Sequence, residues 1–278
     1  MNISIIIPTY NRGQLISQAI ESIYSQYGIN DSFKISEIVI SDDCSTDNTK
    51  SVVESIHKDY PDVIYCKTPC NLGPAGARNE GFKYTSGEWI ALLDSDDIWY
   101  KNKLQRVTAL AKSHPEYQMI YHKMKIVKYD GETTYVPHDI EDRTYLSERI
   151  YYPLLIKNFI GAPSMFIKRE AWIECGGFDT SFRHLEDWDF ALRISKKNLI
   201  GFVDEPLLEA TMLSGGVSSD IFGWYDARIR IIANNSRELI SSGLFNQVVE
   251  DLFTKASNRN ILDPVSRLLE LHLSNISN

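Results

Sequence analysis

The first hundred residues alternate short apolar strand segments with helical segments, and this alternation constrains the fold more than any other feature. The strand segments cover residues 3–7, 37–41, 63–65 and 89–93. After the first segment, apolar residues recur at helical spacing, at positions 15, 19, 20 and 23. Strands separated by helices predict a parallel sheet with right-handed crossovers, so we expect an α/β fold.

A polar cluster follows each of these four strand segments. The clusters are Thr9-Tyr10-Asn11-Arg12, Asp42-Asp43, Asn71-Leu72-Gly73 and Asp94-Ser95-Asp96-Asp97. Open parallel sheets bind their ligands outside the carboxyl ends of the strands. We therefore expect the four clusters to meet at one edge of the sheet and to form a binding site there.

The fourth cluster places three carboxylates directly after a buried strand. Such carboxylates repel one another and lose hydration, so another group must offset that cost. A divalent cation that carries a phosphate-rich ligand would do so, because Mg²⁺ combines few carboxylates with substrate phosphates. Taken alone, the cluster fits a solvated loop of acidic turn residues equally well.

The composition excludes several classes of protein. The 278 residues are 43% hydrophobic and 24% charged, which is ordinary for a soluble protein. The formal charge of 29 − 37 = −8 argues against nucleic-acid binding, which needs a basic face. The spacing of the four cysteines fits no zinc site, so we expect the reduced thiols of a cytosolic protein.

The sequence also lacks targeting and membrane signals. It begins at once with a strand pattern, so we expect no signal peptide. No apolar run approaches the roughly 20 residues that span a bilayer. We expect a cytoplasmic protein that has at most peripheral contact with the inner face of the membrane.

From about residue 100 the pattern becomes mixed. It predicts a helix near 101–113, strands at 119–121, 125–127 and 164–167, and a helix at 187–197. Asp130-Gly131 is typical of a hairpin turn. From residue 222 the sequence is helical and amphipathic, with predicted breaks at Gly243 and Pro264. These last helices are expected to pack on the preceding domain, or on a second copy of the chain in a homodimer.

Several motifs occur in a fixed order: Pro8-Thr9-Tyr10-Asn11, Ser41-Asp42-Asp43-Cys44-Ser45-Thr46-Asp47, Asn71-Leu72-Gly73, Ala77-Arg78-Asn79-Glu80-Gly81 and Asp94-Ser95-Asp96-Asp97. Over about residues 1–210 the chain resembles the GT-A fold, family 2 inverting glycosyltransferases of bacterial polysaccharide type. The resemblance implies a mostly parallel, Rossmann-like α/β sheet flanked by helices. It implies a GT-A domain over 1–219, with a nucleotide-binding half at about 1–100 and an acceptor half at about 101–219. A C-terminal helical extension would follow over 220–278.

The resemblance implies a donor-nucleotide site at the ends of the first four strands. Its predicted residues are Pro8, Thr9, Tyr10, Asn11, Asp42, Asp43, Arg78, Asp94 and Ser95. Asp42 and Asp43 would accept hydrogen bonds from the base or ribose, or else cap the next helix. Thr46 and Asp47 are better placed for that cap. Tyr10 would stack on the base or serve as a packing residue.

Arg78 lies one turn into a helix that begins with small residues, where it would neutralise donor phosphate or hold the carboxylates. The alternative is an ordinary surface arginine. This helix start lacks Gly-Lys-Ser/Thr, which excludes P-loop ATPase chemistry. Asp96 is the predicted ligand of Mn²⁺ or Mg²⁺, with Asp94 assisting. Asp97 is predicted to cap the helix that follows Trp99.

A second acidic cluster, Glu186-Asp187-Trp188-Asp189, predicts the acceptor side. An inverting transfer needs a carboxylate that removes the proton of the acceptor hydroxyl. The resemblance assigns this base to Asp187, with Glu186 binding acceptor or sugar; otherwise the acids cap the helix that follows. Trp188 would form a sugar platform or pack in the core. Ser164 would line the donor-sugar pocket.

The predicted function is metal-dependent, inverting transfer of a sugar, preferably from a UDP-sugar, to a hydroxyl of a glycan or lipid-linked acceptor. Bacterial surface polysaccharide synthesis is the usual setting of similar enzymes. Two departures from the family stand out: segment 213–218 lacks a basic residue, and the Gln-x-x-Arg-Trp signature of processive synthases is absent. Two alternatives stay open, a sugar-phosphate nucleotidyltransferase and a non-catalytic nucleotide-sugar-binding protein of the same fold.

Overall fold

The computed structural model describes residues 1–128, 130–137, 149–211 and 220–274. Within them, nine strands form one sheet. The strands are β1 (Asn2–Thr9), β2 (Lys34–Asp42), β3 (Val63–Lys67), β4 (Trp89–Leu92), β5 (Ile98–Trp99), β6 (Met119–Val127), β7 (Thr133–Val136), β8 (Phe166–Lys168) and β9 (Ile200–Thr211). The helices are α1 (Ile16–Tyr24), α2 (Thr49–Asp59), α3 (Gly73–Phe82), α4 (Lys103–Ser113), α5 (Tyr151–Ile156), α6 (Arg169–Cys175), α7 (Glu186–Ser195), α8 (Ile221–Asn234), α9 (Ser236–Ser241), α10 (Phe245–Ser257) and α11 (Leu262–Ser274).

The sheet runs in the order β3-β2-β1-β4-β8-β6-β9-β5, and β7 pairs with β6. Strands β1 to β4 are mutually parallel, as the alternation of strands and helices predicts. Strand β8 is antiparallel to β4 and β6, whereas β6 and β9 are parallel. The carboxyl ends of β1 to β4 therefore lie at one edge, where the four polar clusters follow them.

Successive side chains of the strands point to opposite faces of the sheet, and each face has its own core. Ile6, Ile90 and Leu92 face the core formed with α5 to α11. Ile5 and Ile7 face the core formed with α1, α2 and α4. Each such fully buried isoleucine contributes about 2 kcal/mol of hydrophobic free energy. Helices α8 to α11 thus share one continuous core with the sheet.

The structure corrects three predictions of element boundaries. The segments 119–121 and 125–127 form one strand, β6, because its pairing with β9 continues across the polar Lys123, whose side chain forms an ion pair with Asp204 of β9 over 2.7 Å. Ser164 lies in a 3-10 helix, Ala162–Ser164, and not in a strand, because Pro163 fixes its own φ and has no N–H to pair.

The third correction concerns the breaks between the C-terminal helices. Gly243 does separate α9 from α10 and adopts a φ of 73°. Pro264 lies in the first turn of α11, where its missing N–H costs no helical hydrogen bond. In the described part of the chain, no helix is long and apolar enough to cross a membrane.

Candidate active site

The first two polar clusters are joined by Asn11, which follows β1. Its backbone N–H donates to Ser45 Oγ over 2.8 Å, and its Oδ1 accepts from the N–H of Thr46 over 2.8 Å. Asn11 adopts a φ of 52°, a left-handed conformation that asparagine tolerates better than most residues. The side chain of Asn11 therefore holds the loop after β2 in place.

Asp42 is buried at the end of β2, with both carboxylate oxygens in hydrogen bonds. Oδ1 accepts from the N–H of Ser45 over 2.8 Å, and Oδ2 accepts from the hydroxyl of Tyr65 over 2.5 Å. Burial and the Asp42 carboxylate raise the pKa of Tyr65, so this hydroxyl stays a donor. The carboxylate is thereby fixed in one orientation beside the exposed end of the sheet.

Asp43 points towards the third cluster. Its Oδ1 accepts from Leu72 N–H and its Oδ2 from Gly73 N–H, each over 2.8 Å. Thr68 Oγ1 donates to Oδ1 as well, over 2.9 Å. Asp43 therefore caps the start of α3, whereas the sequence had suggested the next helix, α2, as the alternative to nucleotide binding.

The cap of α2 is provided by Asp47. Its Oδ1 accepts from the N–H of Thr49 over 3.0 Å, while Thr46, the other predicted cap, hydrogen-bonds Asn11. Nearby, Tyr10 is 46% exposed, so its side chain is accessible to a planar ligand. Thr9 is buried, and its Oγ1 has no hydrogen-bond partner within the described chain. Pro8 beside it is partly buried.

Arg78 lies at the centre of the site, almost wholly buried on α3. Its Nη2 donates to Asp94 Oδ1 over 2.8 Å, and its Nη1 donates to Glu186 Oε1 over 2.7 Å. The two carboxylates raise the pKa of Arg78 against the opposing effect of burial. Of the alternatives drawn from the sequence, Arg78 is the residue that holds the carboxylates.

Helix α3 is fastened to the segment before α7 by Asn79. Its amide donates to Phe178 O over 2.7 Å, and its Oδ1 accepts from Phe178 N–H over 2.9 Å. Gly177 is required beside it, because its φ is 73° and an added Cβ would lie 2.6 Å from Asn79 Oδ1. This contact fixes the position of Arg78 relative to the N-terminus of α7.

The carboxylates of the fourth cluster follow β4. Asp94 and Asp96 are both partly exposed, and Arg12 Nε lies 3.4 Å from Asp96 Oδ2. Burial and the neighbouring Asp94 raise the pKa of Asp96, so a further positive charge would stabilise its ionised form. Ser95 between them is buried.

The carboxylates of Asp94 and Asp96 fit a divalent cation of the Mg²⁺ or Mn²⁺ type. Over the described residues, no group of three or more His, Cys, Asp or Glu side chains is arranged to hold a metal. A pair of carboxylates would leave the remaining positions to substrate phosphates and water, as Mg²⁺ sites commonly do. The donor set is thus suited to a metal that arrives with a phosphorylated ligand.

Asp97 does not cap the following helix. Helix α4 begins at Lys103 with Asn102 before it, and Asp97 is buried within the turn. Burial, Asp94 and Asp96 raise the pKa of Asp97 well above its ordinary value, against the attraction of Lys103. Lys103 is itself fully buried, and its Nζ donates to Pro163 O over 2.7 Å.

Asp187 lies in the first turn of α7, directly after Glu186. Its Oδ1 accepts from Trp188 N–H over 2.7 Å and from the Asn158 amide over 3.4 Å. Burial and the adjacent Glu186 raise the pKa of Asp187 to about 7. A carboxylate with this pKa is suited to accept a proton near neutral pH.

Two predicted sugar-binding residues do not face the site. The Trp188 side chain is only 4% exposed, and its Nε1 donates to Leu154 O over 2.7 Å. A sugar platform needs an open ring face, so that prediction is wrong for Trp188. Ser164 is fully buried, and its hydroxyl donates to Gly161 O over 2.7 Å, so it offers no group to a sugar.

Three residues in the site were not predicted as functional. Arg12 had a signal, since it belongs to the first polar cluster, but only the structure pairs it with Asp96. Tyr65 and Asn158 had none, because they meet Asp42 and Asp187 from 23 and 29 residues away. The segment 213–218, where a basic residue was missing, lies outside the described residues.

The chain also resembles known proteins in sequence and in fold. The family described as Glycosyl transferase family 2 matches residues 4–176. The chain is 35% identical over 192 residues to an uncharacterised glycosyltransferase of Haemophilus influenzae, covering 69% of this chain and 61% of that protein. It is 32% identical over 207 residues to UDP-Glc:alpha-D-GlcNAc-diphosphoundecaprenol beta-1,3-glucosyltransferase WfgD of Escherichia coli, covering 73% of each.

A solved structure extends the comparison to the fold. The crystal structure of S. aureus TarS in complex with UDP matches with a TM-score of 0.69 and 25% sequence identity. The match covers 91% of this chain and 72% of that chain. By contrast, this chain spans only 34% to 61% of the length of three of the curated relatives most similar to it.

Proposed function

Because this chain belongs to glycosyl transferase family 2 and has the GT-A fold, we propose that it transfers a sugar from a UDP-sugar to a hydroxyl of a lipid-linked saccharide. The reaction would belong to the assembly of bacterial surface polysaccharide. The named activity of the E. coli relative, on a diphosphoundecaprenol-linked acceptor, supports this choice of acceptor class.

The observation that carries the proposal is the double ion pair of Arg78. It joins Asp94, on the donor side, to Glu186, which is adjacent to Asp187. A nucleotide diphosphate at the end of β4 would therefore lie next to a carboxylate whose pKa is about 7. An inverting transfer needs these two features within the reach of one sugar ring.

The donor nucleotide would occupy the edge formed by β1 and β2. The exposed Tyr10 ring would stack on the base, and the fixed Asp42 carboxylate would accept a hydrogen bond from the base or ribose. Thr9 Oγ1, buried without a partner in the described chain, is a further donor at this edge. Asp43 contributes indirectly, by holding the start of α3.

Asp96 and Asp94 would hold Mn²⁺ or Mg²⁺. When bound, such a cation would stabilise negative charge on the departing diphosphate. Arg12 Nε lies 3.4 Å from Asp96 and Arg78 Nη2 lies 2.8 Å from Asp94, so the two arginines orient these carboxylates. Arg78 binds carboxylates on both sides, so its role is to position them.

Asp187 would act as the base. The oxygen of the acceptor hydroxyl forms a bond to the anomeric carbon, and the bond from that carbon to the diphosphate oxygen breaks. The electron pair of the broken bond leaves with the nucleoside diphosphate, and the hydroxyl proton passes to Asp187. Attack opposite the leaving group inverts the anomeric configuration.

The test is a transfer assay with UDP-glucose, UDP-galactose and UDP-N-acetylglucosamine, Mn²⁺ and a diphosphate-lipid-linked N-acetylglucosamine acceptor. We expect UDP release and a lengthened acceptor, and loss of both on chelation of the metal. Asp187→Asn should abolish transfer but keep UDP binding, whereas Asp96→Asn should lose metal-dependent UDP binding. Asp59→Asn, an exposed aspartate on α2, is the matched control.

Other outcomes would contradict the proposal. Pyrophosphate release from a nucleoside triphosphate and a sugar phosphate would identify a nucleotidyltransferase. Binding of UDP-sugars with neither transfer nor slow hydrolysis would identify a non-catalytic binding protein. Full activity of Asp187→Asn would remove the base from the mechanism.

A further inference from the structure

Arg228 of α8 is a buried cation that the proposed reaction does not use. Its side chain is 1% exposed, and its guanidinium carbon lies 4.0 Å from the centre of the Trp188 ring. Its Nη2 donates to Ile156 O over 2.9 Å and to Leu155 O over 3.3 Å. Its buried Nη1 has no hydrogen-bond partner within the described residues.

The groups that contact Arg228 lie on the two segments that contact or contain Asp187. Leu155 and Ile156 end α5, and Asn158 follows them, with its amide 3.4 Å from Asp187 Oδ1. Trp188 directly follows Asp187, and its Nε1 donates to Leu154 O over 2.7 Å. Arg228 therefore contacts both the end of α5 and the start of α7, the two segments that meet at Asp187.

This arrangement has an electrostatic cost. Burial lowers the pKa of Arg228 to about 10, and Asp251 of α10 is the opposing charge that favours its ionised form. The carbonyls at the C-terminus of α5 and the face of the Trp188 ring offset part of the cost, since both attract a cation. An apolar side chain of similar length would fill this space without that cost.

We propose that Arg228 is a positioning residue for Asp187, a role that rests on the proposed function of Asp187 as the base. By joining the α5 carbonyls to the Trp188 ring, it keeps Asn158 in contact with the carboxylate and keeps water out of the space behind it. The C-terminal helices thereby take part in the geometry of the site as well as in the core.

Several groups face Asp187, and the experiment must distinguish their effects on its pKa from the effect of Arg228. They are Glu186 and the Trp188 N–H on α7, Arg78 on α3, Asp94 after β4 and Asn158 after α5. The contacts of Arg228 are with the α5 carbonyls and the Trp188 ring and not with the Asp187 carboxylate itself, so it acts through packing. Its removal should admit water and lower the pKa of Asp187, whereas the loss of a directly acting positive charge would raise it.

The experiment compares Arg228→Ala, which opens the space that the side chain fills, and Arg228→Lys with Arg230→Ala in the full chain. Arg230 is a matched control, because it lies on the same helix, stacks over Phe182 at 4.3 Å and hydrogen-bonds Ser181 O. The Asp187 carboxyl is titrated by ¹³C NMR and assigned by the Asp187→Asn difference. The pH dependence of kcat is measured in parallel.

In Arg228→Ala we expect the Asp187 midpoint to fall from about 7 towards the ordinary value of about 4. We expect kcat to fall about tenfold or more, with the KM for the UDP-sugar changed much less. Arg228→Lys should restore part of the Asp187 midpoint and part of kcat, and Arg230→Ala should change neither quantity. If Arg228→Ala does not fold, Trp188→Phe, which removes the hydrogen bond to Leu154 O, should shift the Asp187 midpoint in the same direction by a smaller amount.

An unchanged or raised Asp187 midpoint in Arg228→Ala, or in Trp188→Phe if Arg228→Ala does not fold, would overturn the inference, even if kcat fell. A wild-type protein that transfers no sugar would instead contradict the proposed function. The NMR titration needs no turnover, so it still decides the role of Arg228 in that case.

Discussion

Arg78 Nη1 donates to Glu186 Oε1 over 2.7 Å and so joins two residues that are 108 positions apart in the chain. The same guanidinium binds Asp94, which places the donor-side acids and the Glu186-Asp187 pair in one network. Because Arg78 is buried, its positive charge offsets much of the free-energy cost of holding these two carboxylates in the site. The stability of the fold and the geometry of the site therefore share one residue.

Arg78→Met should lower the free energy of unfolding by about 3 kcal/mol, because it leaves two carboxylates close together without their cation. Urea denaturation at pH 7 measures the change. Lys83→Met, which removes an exposed ion pair with Glu80 on the same helix, should have little effect. Equal small effects of the two substitutions would mean that the Arg78 network is not a stabilising feature.

The pH dependence of kcat/KM should show an acidic limb with a midpoint near the Asp187 pKa of about 7. Below it the carboxyl is protonated and cannot accept the acceptor proton, so activity rises as the pH rises. Glu186→Gln should move the limb to lower pH, because the negative charge of Glu186 raises that pKa. A limb that stays in place in Glu186→Gln would assign it to another group.

Asp187→Asn should raise the melting temperature at pH 8 and raise it less at pH 5. The folded-state pKa of Asp187 lies above the ordinary carboxyl value, so the folded protein takes up a proton between about pH 4 and about pH 7. Stability contributed by the protonated form is present below that window and is lost as the pH rises through 7. Calorimetry at the two pH values checks the sign, and a gain at pH 5 alone would contradict it.

Asp43→Ala should destabilise the protein by about 2 kcal/mol, because two N–H groups at the start of α3 lose their acceptor. The measurement is again the free energy of unfolding, with Asp59→Ala as the exposed control on α2. If Asp43→Ala kept full stability and lost only UDP binding, Asp43 would be a ligand of the nucleotide and not a helix cap.

Much of the fold follows from local patterns. Three local patterns predicted the parallel half of the sheet and the edge that carries the site. They are the β-branched run that forms β1, the helical spacing of positions 15, 19, 20 and 23, and the polar clusters after each strand. The GT-A resemblance and family membership were also evident from the order of the motifs and are confirmed. The ambiguous residues were those whose role depends on distant neighbours, such as Asp43, Asp97 and Trp188.

By itself, the sequence determined which chemical groups reach the edge of the sheet, because strand and helix periodicity fix where each segment ends. Only the tertiary structure decided how those groups are used. It turned Asp43 to the start of α3, buried Trp188 against Arg228 and placed Arg78 between Asp94 and Glu186. Such pairings depend on the packing of segments that are far apart in the chain, and that packing leaves no periodic signal in the sequence.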